Sequence, residues 1–376
     1  MHAPGSRWRS QRPTLESIAH EAGVSRQTVS NVLNAPHLVS KETRRRVEAV
    51  IARTGYRPVK AGQTLRTRRS YLIAVGLQTP AEDRGEVEHG FLHALTERAQ
   101  IRGYRTLVYT AGNDDAEIGT YESLLSEYDL DGLVLTGTHI GDKRTAWLAD
   151  QDVPFVTFGR PWGTAVGHAA AGHSWVDVDG ASGVLAASRH LIGRGYRRIA
   201  FLGWPEGSGV GDDRRSGWET ACREAALPAD GLAVRVENSL AAGRAACAGL
   251  LASKTPPDAF VCVSDLIALG AWSLLTTRAL VSGSRPAVVG FDDSAAAAAA
   301  GLSSVAQPLA EVANACLDCL QKLQKGPRAR EDAPDMVLLE PRLIVRSSTG
   351  GASLAGAAVL PGAAGISEIK VKGFSR

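Results

Sequence analysis

Arg26, Gln27, Ser30, Asn31 and Asn34 place a guanidinium, three carboxamides and a hydroxyl within nine residues of one another. These groups match base edges in the major groove and backbone phosphates, so the chemistry open to them is recognition of duplex DNA. To act together they must share one side of a helix. Val29, Val32 and Leu33 fall where the opposite side would rest on a core.

The flanking residues supply the elements that would position this set. Leu15, Ile18, Ala19 and Ala22 recur at helical spacing behind Thr14, a fitting N-cap. Gly23 follows the last apolar position, where a helix commonly ends in a positive-φ residue, and Ser25 can cap a second helix after a turn of three or four residues. A third amphipathic stretch starts at Ser40, buries Val47, Val50 and Ile51 and breaks at Gly55. Three short helices sharing one core are expected, and the turn, the caps and the polar face set them apart from a generic bundle with a solvated side. Charge supports this independently. Residues 1–70 hold fourteen Lys or Arg against four Asp or Glu, a balance of +10, whereas the whole chain of 376 residues carries 42 − 39 = +3, leaving −7 for the rest. Positive charge is therefore concentrated where phosphates would be bound.

The pattern Leu15-x-x-Ile-Ala-x-x-Ala-Gly-Val-Ser-x-x-Thr-Val-Ser-x-Val-Leu-Asn34, followed by Val39-Ser40, Thr43-Arg44 and Gly55-Tyr56-Arg57-Pro58, resembles the DNA-binding headpiece of the lactose-repressor (LacI) family. The resemblance implies that the basic stretch after Pro58 is a hinge helix that orders on operator DNA, pairs with its dimer mate and drives Leu65 into the minor groove as a wedge. Gly62 lowers helix propensity there, and Val59 stands where the family often has Asn. The implied DNA-binding set is Thr14, Ser25, Arg26, Gln27, Thr28, Ser30, Asn31, Asn34, Ser40, Tyr56, Lys60, Gln63, Leu65 and Arg66.

From Tyr71 onward, apolar runs at 71–76, 106–109, 132–135, 154–158, 198–202, 259–263 and 287–291 alternate with helix-length stretches at 87–102, 180–193, 213–225 and 266–278. Such βα alternation over roughly 275 residues exceeds the usual single domain and predicts two Rossmann-like subdomains, with ligands at the carboxyl ends of the strands. The expected fold is a small all-α helix-turn-helix headpiece joined by a hinge helix to an α/β periplasmic-binding-protein-like core of two Rossmann-like subdomains. Its expected divisions are a disordered basic arm at 1–12, the headpiece at 13–58, the hinge at 59–70, the bilobed ligand-binding and dimerisation domain at 71–348, and a disordered Ala/Gly-rich tail at 349–376. By the resemblance, the first lobe takes 71–172 plus a helix at 308–325, and the second takes 173–304 plus final strands near 336–346.

The resemblance also implies an effector pocket. Asp213-Arg-Arg-Ser-Gly-Trp218 matches an Arg-x-x-Gly-aromatic element whose arginine, Arg214, enters the cleft, and Asp292 ends the strand Val288-Val-Gly-Phe-Asp292 at the position that hydrogen-bonds a ligand hydroxyl. A guanidinium fork and a carboxylate facing one cavity suit a polyhydroxylated neutral ligand such as a sugar. Phe158, Arg160 and Trp204 are expected at stacking and rim positions, and Ser264 and Asp265 complete the set, Ser264 standing where the family commonly has Asn. The six-alanine run 295–300 leaves few polar groups beside Asp293.

Other signals lead elsewhere. Cys316-x-x-Cys319 lies on an amphipathic helix with no second pair at zinc spacing, and five cysteines with no export signal fit a reducing cytoplasm. His89 and His93 lack a third ligand, Gly172-His-Ser-Trp-Val176 lacks the last glycine of a nucleophile elbow, and Asp179 is better used as a helix cap than as a cation ligand. No phosphate-cradling glycine loop and no membrane-length apolar run occurs. No metal, cofactor or catalysis is expected. The expected partners are operator DNA, a small effector and a second copy of the chain. The competing reading is a sugar-binding or enzymatic bilobed protein whose basic head holds DNA non-specifically.

Overall fold

The computed structural model describes residues 13–56, 69–78, 85–163, 172–282, 285–325 and 333–350. The expected arm at 1–12, residues 59–68 of the expected hinge at 59–70, and residues 351–376 of the expected tail at 349–376 lie outside the described residues. The chain divides into two units, Met1–Ser70 and Tyr71–Arg376.

The first unit contains α1 (Leu15–Ala22), α2 (Arg26–Asn34) and α3 (Lys41–Thr54). Helices this short are marginal alone and depend on packing and on satisfied ends. Thr14, Ser25 and Ser40 each accept a first-turn backbone N–H, from Ser17, Thr28 and Thr43 respectively. Gly23 and Gly55 leave α1 and α3 in the left-handed region, at φ 63° and 65°. Ile18, Val29 and Val47 are fully buried between the helices, with Ala22, Val32, Val50 and Tyr56 around them.

The second unit contains two six-stranded sheets. The first is built from β1 (Leu72–Gln78), β2 (Arg105–Ala111), β3 (Gly132–Leu135), β4 (Phe155–Phe158), β5 (Trp175–Val178) and β11 (Met336–Leu339), in the order β2-β1-β3-β4-β5-β11. The second uses β6 (Ile199–Gly203), β7 (Ala233–Arg235), β8 (Ala259–Cys262), β9 (Ala287–Phe291), β10 (Ser303–Ala306) and β12 (Arg342–Ile344), in the order β7-β6-β8-β9-β10-β12. Both follow the flavodoxin-like order 2-1-3-4-5, which opens a crevice at the carboxyl ends of the strands. β3, β6, β8 and β9 are buried along their whole length, as parallel strands covered on both faces must be.

Helices α4 (Gly85–Ile101), α5 (Asp114–Glu127), α6 (Lys143–Asp150) and α12 (Leu309–Leu323) cover the first sheet. The second sheet is covered by α7 (Gly180–Gly193), α8 (Gly209–Glu224), α9 (Leu240–Leu251) and α10 (Asp265–Ser282), with the short α11 (Ala295–Ala299) beside it. Among the described residues no helix is long and apolar enough to cross a membrane.

The lobe assignment departs from expectation. β5 pairs in parallel with β4, through Thr157 and Trp175, and β11 pairs with β5, so both belong to the first lobe and only β12 joins the second. The chain therefore crosses between lobes after β5, after β10 and after β11. An apolar run such as Trp175–Val178 states that it is buried but not beside which strand. Ser348 Oγ donates to Val288 O at 2.6 Å and Thr349 is fully buried, so packed structure continues one residue past 348.

Glycines set how closely the helices of the second lobe approach. A Cβ on Gly243 of α9 would lie 2.3 Å from the carbonyl oxygen of Ile267, and one on Gly270 of α10 would lie 2.2 Å from that of Leu240. Backbone cannot yield as a side chain would. Gly270→Ala should therefore cost about 1–3 kcal/mol in urea unfolding by forcing α9 and α10 apart, whereas Gly249→Ala, with open space around it, should be neutral or mildly stabilising.

Candidate nucleic-acid interface and ligand cavity

The outer side of α2 carries the predicted reading set. Arg26 and Gln27 are exposed, and Thr28, Ser30 and Asn31 are half-buried at its base. Arg26 Nη1 lies 3.0 Å from Glu16 Oε1, with both side chains about 70% exposed (70% and 71%), and Gln27 Nε2 donates to Asn31 Oδ1 at 3.0 Å. Ion pairs this exposed are worth little, so Arg26 is held out over α1 at small cost to a competing ligand. Asn34 is the last residue of α2, and its side chain lies outside the described residues. Thr14, Ser25 and Ser40 use their hydroxyls as caps at three helix N-termini, where backbone N–H groups also favour phosphate. Tyr56 is placed differently from expectation: it is 7% exposed and closes the three-helix core. Lys60, Gln63, Leu65 and Arg66 lie outside the described residues. Arg45 and Arg46, exposed on α3, add charge that the motif did not single out.

In the second unit a cavity of about 500 Å³ opens between the lobes at the carboxyl ends of both sheets. Phe158 of the first lobe and Trp204 of the second present aromatic faces to it. Phe158 rests on Phe91 with 4.6 Å between ring centroids, and Trp204 is fixed by its indole N–H, which donates to Asn238 Oδ1 at 3.0 Å. Aromatic side chains and polar groups lining one cavity suit a ring bearing hydroxyls.

Arg214 and Asp292 meet in this cavity. Arg214 donates through Nη1 to Val263 O at 2.6 Å, lies flat over the Phe291 ring at 3.6 Å, and holds Nη2 3.6 Å from Asp292 Oδ1. That last gap exceeds a hydrogen bond, so a hydroxyl placed to one side of the pair can bond to both partners. Asp292 adopts φ 110°, a strained position for a residue other than glycine, and accepts from Gln307 Nε2 at 2.8 Å. Burial raises its carboxyl to about 7 against the pull of Arg214, with Asp265 and Glu86 raising it further. Burial also lowers the pKa of Arg214, against the support of Asp292 and other carboxylates.

Three expected pocket residues line other ground. Arg160 is 5% exposed and turned away from the cavity: Nε donates to Asp177 Oδ2 and Nη2 to Val178 O at 3.3 Å. Asp265 accepts from Ser294 N and Ser304 Oγ, both at 2.6 Å, and so ties α10 to the ends of β9 and β10, its carboxyl raised by burial to about 6. Ser264 Oγ donates to Asn238 Oδ1 at 2.5 Å. The shorter side chain at 264 thus reaches the cavity only through Asn238, which lines it. Asn238, Gln307, Thr136, Thr138 and Asp177 line the cavity without having been picked out from sequence. Gln307 sits at a lobe crossover and Asn238 follows the unrecognised edge strand β7, so nothing local marks either.

The remaining signals resolve structurally. Asp114, His139 and Asp142 bring ligand atoms within 4.8 Å of one another. Buried Arg144 already occupies that charge, bonding Asp142 Oδ2 and Glu117 Oε2 at 2.7 Å each and lying 3.6 Å from Asp114. Burial works against the Arg144 charge, but Asp142 and Glu117 outweigh it and keep the guanidinium protonated. Cys316 and Cys319 are buried free thiols on α12 itself, facing the core of the first lobe, with burial raising both, Cys319 to about 11. His89 and His93 are exposed on α4. Ser174 is 3% exposed and accepts from Asp335 N, and Asp179 caps α7 through Ser182 N.

A capped helix-turn-helix with an exposed polar face, on one chain with a two-lobed ligand receptor, defines a ligand-responsive transcriptional regulator. The model for bacterial regulatory proteins of the lacI family matches residues 14–59, and that for a periplasmic-binding-protein-like domain matches residues 188–349. The HTH-type transcriptional regulator CelR of Thermobifida fusca is 32% identical over 347 residues, 90% of this chain and 99% of that protein. AglR of Rhizobium meliloti is 29% identical over 90% of this chain and 94% of its own length. Among solved structures, a CelR–cellobiose complex is 30% identical with a TM-score of 0.62, covering 90% of this chain and 100% of that one. A lac repressor dimer bound to operator and the anti-inducer ONPF is 25% identical with a TM-score of 0.76, covering 90% of this chain and 99% of that one. The chain belongs to the LacI family of bacterial transcriptional regulators.

Two outcomes follow from this geometry. Arg26→Ala and Gln27→Ala should each relax preference at particular operator positions by about 1–3 kcal/mol in a binding-site selection, leaving effector affinity unchanged. Because the folded-state pKa of Asp292 lies near 7, above the ordinary 3.8, its carboxylate is lost as pH falls through that value. Effector affinity should weaken from pH 8 to pH 6, and Asp292→Asn should flatten that profile in a calorimetric titration. The same shift means that the folded state binds this proton more tightly than the unfolded chain does. Its contribution to stability is therefore present at low pH and declines as pH rises from about 4 to about 7.

Proposed function

We propose that the protein is a cytoplasmic repressor that binds a near-palindromic operator as a homodimer and is released when a neutral saccharide occupies the cavity between its lobes. In this reading residues 13–58 read bases in successive major grooves, chiefly through Arg26 and Gln27. Residues 59–70 form the DNA-ordered hinge with Leu65 as the minor-groove wedge, and residues 71–348 bind effector and dimerise. The basic arm at 1–12 adds phosphate contacts, and no catalytic step is assigned.

The observation that carries the reading is the Arg214–Asp292 pair, 3.6 Å apart in the wall of a cavity that Phe158 and Trp204 also line. An open donor–acceptor pair in one cavity with aromatic side chains matches a hydroxyl-rich ring with one apolar face. The relative solved with cellobiose supports a saccharide, and the relative solved as an operator-bound dimer supports the DNA and dimer parts. Effector binding acts by favouring one lobe arrangement over another, which shifts the population competent for DNA.

The test is operator selection from random duplexes, followed by titration of the selected duplex with neutral saccharides, cellobiose first, at rising salt. A sequence-specific repressor loses affinity with salt but keeps its preference among duplexes, and a saccharide raises the apparent Kd for operator. A preference that vanishes uniformly with salt would favour the alternative of a bilobed protein whose basic head adheres to DNA non-specifically.

A further inference from the structure

Trp162 belongs to the first lobe but packs on the second. The segment after β4 turns at Gly159, at φ 119°, and is pinned to its own lobe by hydrogen bonds from Thr138 Oγ1 to Arg160 O at 3.0 Å and from Thr157 Oγ1 to Gly159 O at 2.7 Å. Across the cleft, Gly209 is the first residue of α8. Its neighbours are equally fixed, by the Ser208 cap on Gly211 N at 3.1 Å and by the Asp212–Arg235 ion pair at 2.8 Å. A Cβ on Gly209 would lie 2.4 Å from Trp162 Cγ and 2.7 Å from its Cβ. The indole therefore lies against a bare glycine, and the root of the side chain cannot swing aside to make room. Trp162 Nε1 is buried with no hydrogen-bond partner among the described residues, and the side chain is held by packing. Beneath it, the Arg160 guanidinium sits 4.9 Å from the Trp162 ring and 3.5 Å from Asp213 Oδ2 of α8, one residue before Arg214.

We propose that Trp162 is a positioning residue of the effector site, closing on Gly209 as a steric latch that holds the two lobes together over the bound ligand. Ser208, Gly209, Val210, Phe158 and Gly159 all line the cavity, so Trp162, itself outside that lining, meets the second lobe at a residue of the cavity wall. Arg160 acts from below, linking Asp177 of the first lobe to Asp213 of the second, which is why it stands near the cavity without entering it. A second contact between the lobes, Glu86 Oε1 accepting from Ala295 N at 2.7 Å, involves α4 and α11, so the latch is not the sole closure. What Trp162 adds is a limit set by shape: the lobes close as far as a glycine permits.

The inference rests on the cavity being the effector site, and its test separates the two claims. Gly209 has no positive φ and begins a helix, so Gly209→Ala is benign within the second lobe and acts only as a wedge against the indole. In the full-length protein without ligand, hydrogen exchange across 160–163 and 209–213 should accelerate about tenfold for Gly209→Ala and for Trp162→Ala. The double variant should be no faster than Trp162→Ala alone, because without the indole the added methyl meets nothing. Trp162→Phe should restore most of the protection. With cellobiose as probe, Gly209→Ala should raise the concentration for half-release from operator about tenfold. Wild-type protection in Gly209→Ala, or effects that add in the double variant, would overturn the latch. Failure of cellobiose and other neutral saccharides to release even the wild-type protein would count against the saccharide effector, and the exchange measurements would still decide the latch.

Discussion

The second unit is organised around a charge that it can neither hydrate nor fully neutralise. Arg214 and Asp292 are both withdrawn from water, yet they stop 3.6 Å apart, short of a direct hydrogen bond. Each is held back by other bonds: the arginine by the Val263 carbonyl and the Phe291 ring, the aspartate by Gln307 and by a left-handed backbone. An ion pair held longer than a hydrogen bond is only partly compensated for its desolvation, and a polar ligand group beside it that bonds to both partners adds what the pair lacks. The carboxyl ends of two parallel sheets, brought face to face by three crossovers, are what keep the pair buried and apart.

A second charged cluster does the opposite. Arg144 is saturated: Asp142, Glu117 and the carbonyls of Thr136 and Gly137 take its donors, and the hydroxyls of Tyr109 and Tyr121 complete Glu117 at 3.0 and 2.8 Å. Burial and the neighbouring Glu117 push both phenols well above their ordinary pKa, so they remain donors. This closed network stiffens the loop that carries Thr136 and Thr138 to the cavity. One lobe thus offers the cavity a closed, fully bonded network, and the other an ion pair held at 3.6 Å.

What the sequence discloses depends on whether the determinant is local. Caps at Thr14, Ser25, Ser40 and Asp179 and stops at Gly23 and Gly55 are decided within a few residues, and all are where periodicity and side-chain chemistry put them. Arg214 and Asp292 were legible because each sits in a short motif. Asn238 and Gln307 were not, because their place depends on which strands are neighbours. The membership of Trp175–Val178 in the first sheet is a fact of pairing that an apolar run cannot state. Arg160 was misplaced for a related reason: Asp177, Val178 and Asp213, its partners, come from other elements and from both lobes.

β1 begins at Leu72, immediately after the first unit ends, and runs as an inner strand between β2 and β3 with its carboxyl end toward the cavity. Seven residues of extended chain span roughly 23 Å. The strand therefore has the cavity near one end and, at the other, the root at which the second unit begins. If the first lobe pivots near the cleft by about 10°, the root travels on the order of 4 Å by that geometry, a displacement comparable to the spacing of adjacent strands and obtained without remodelling any core.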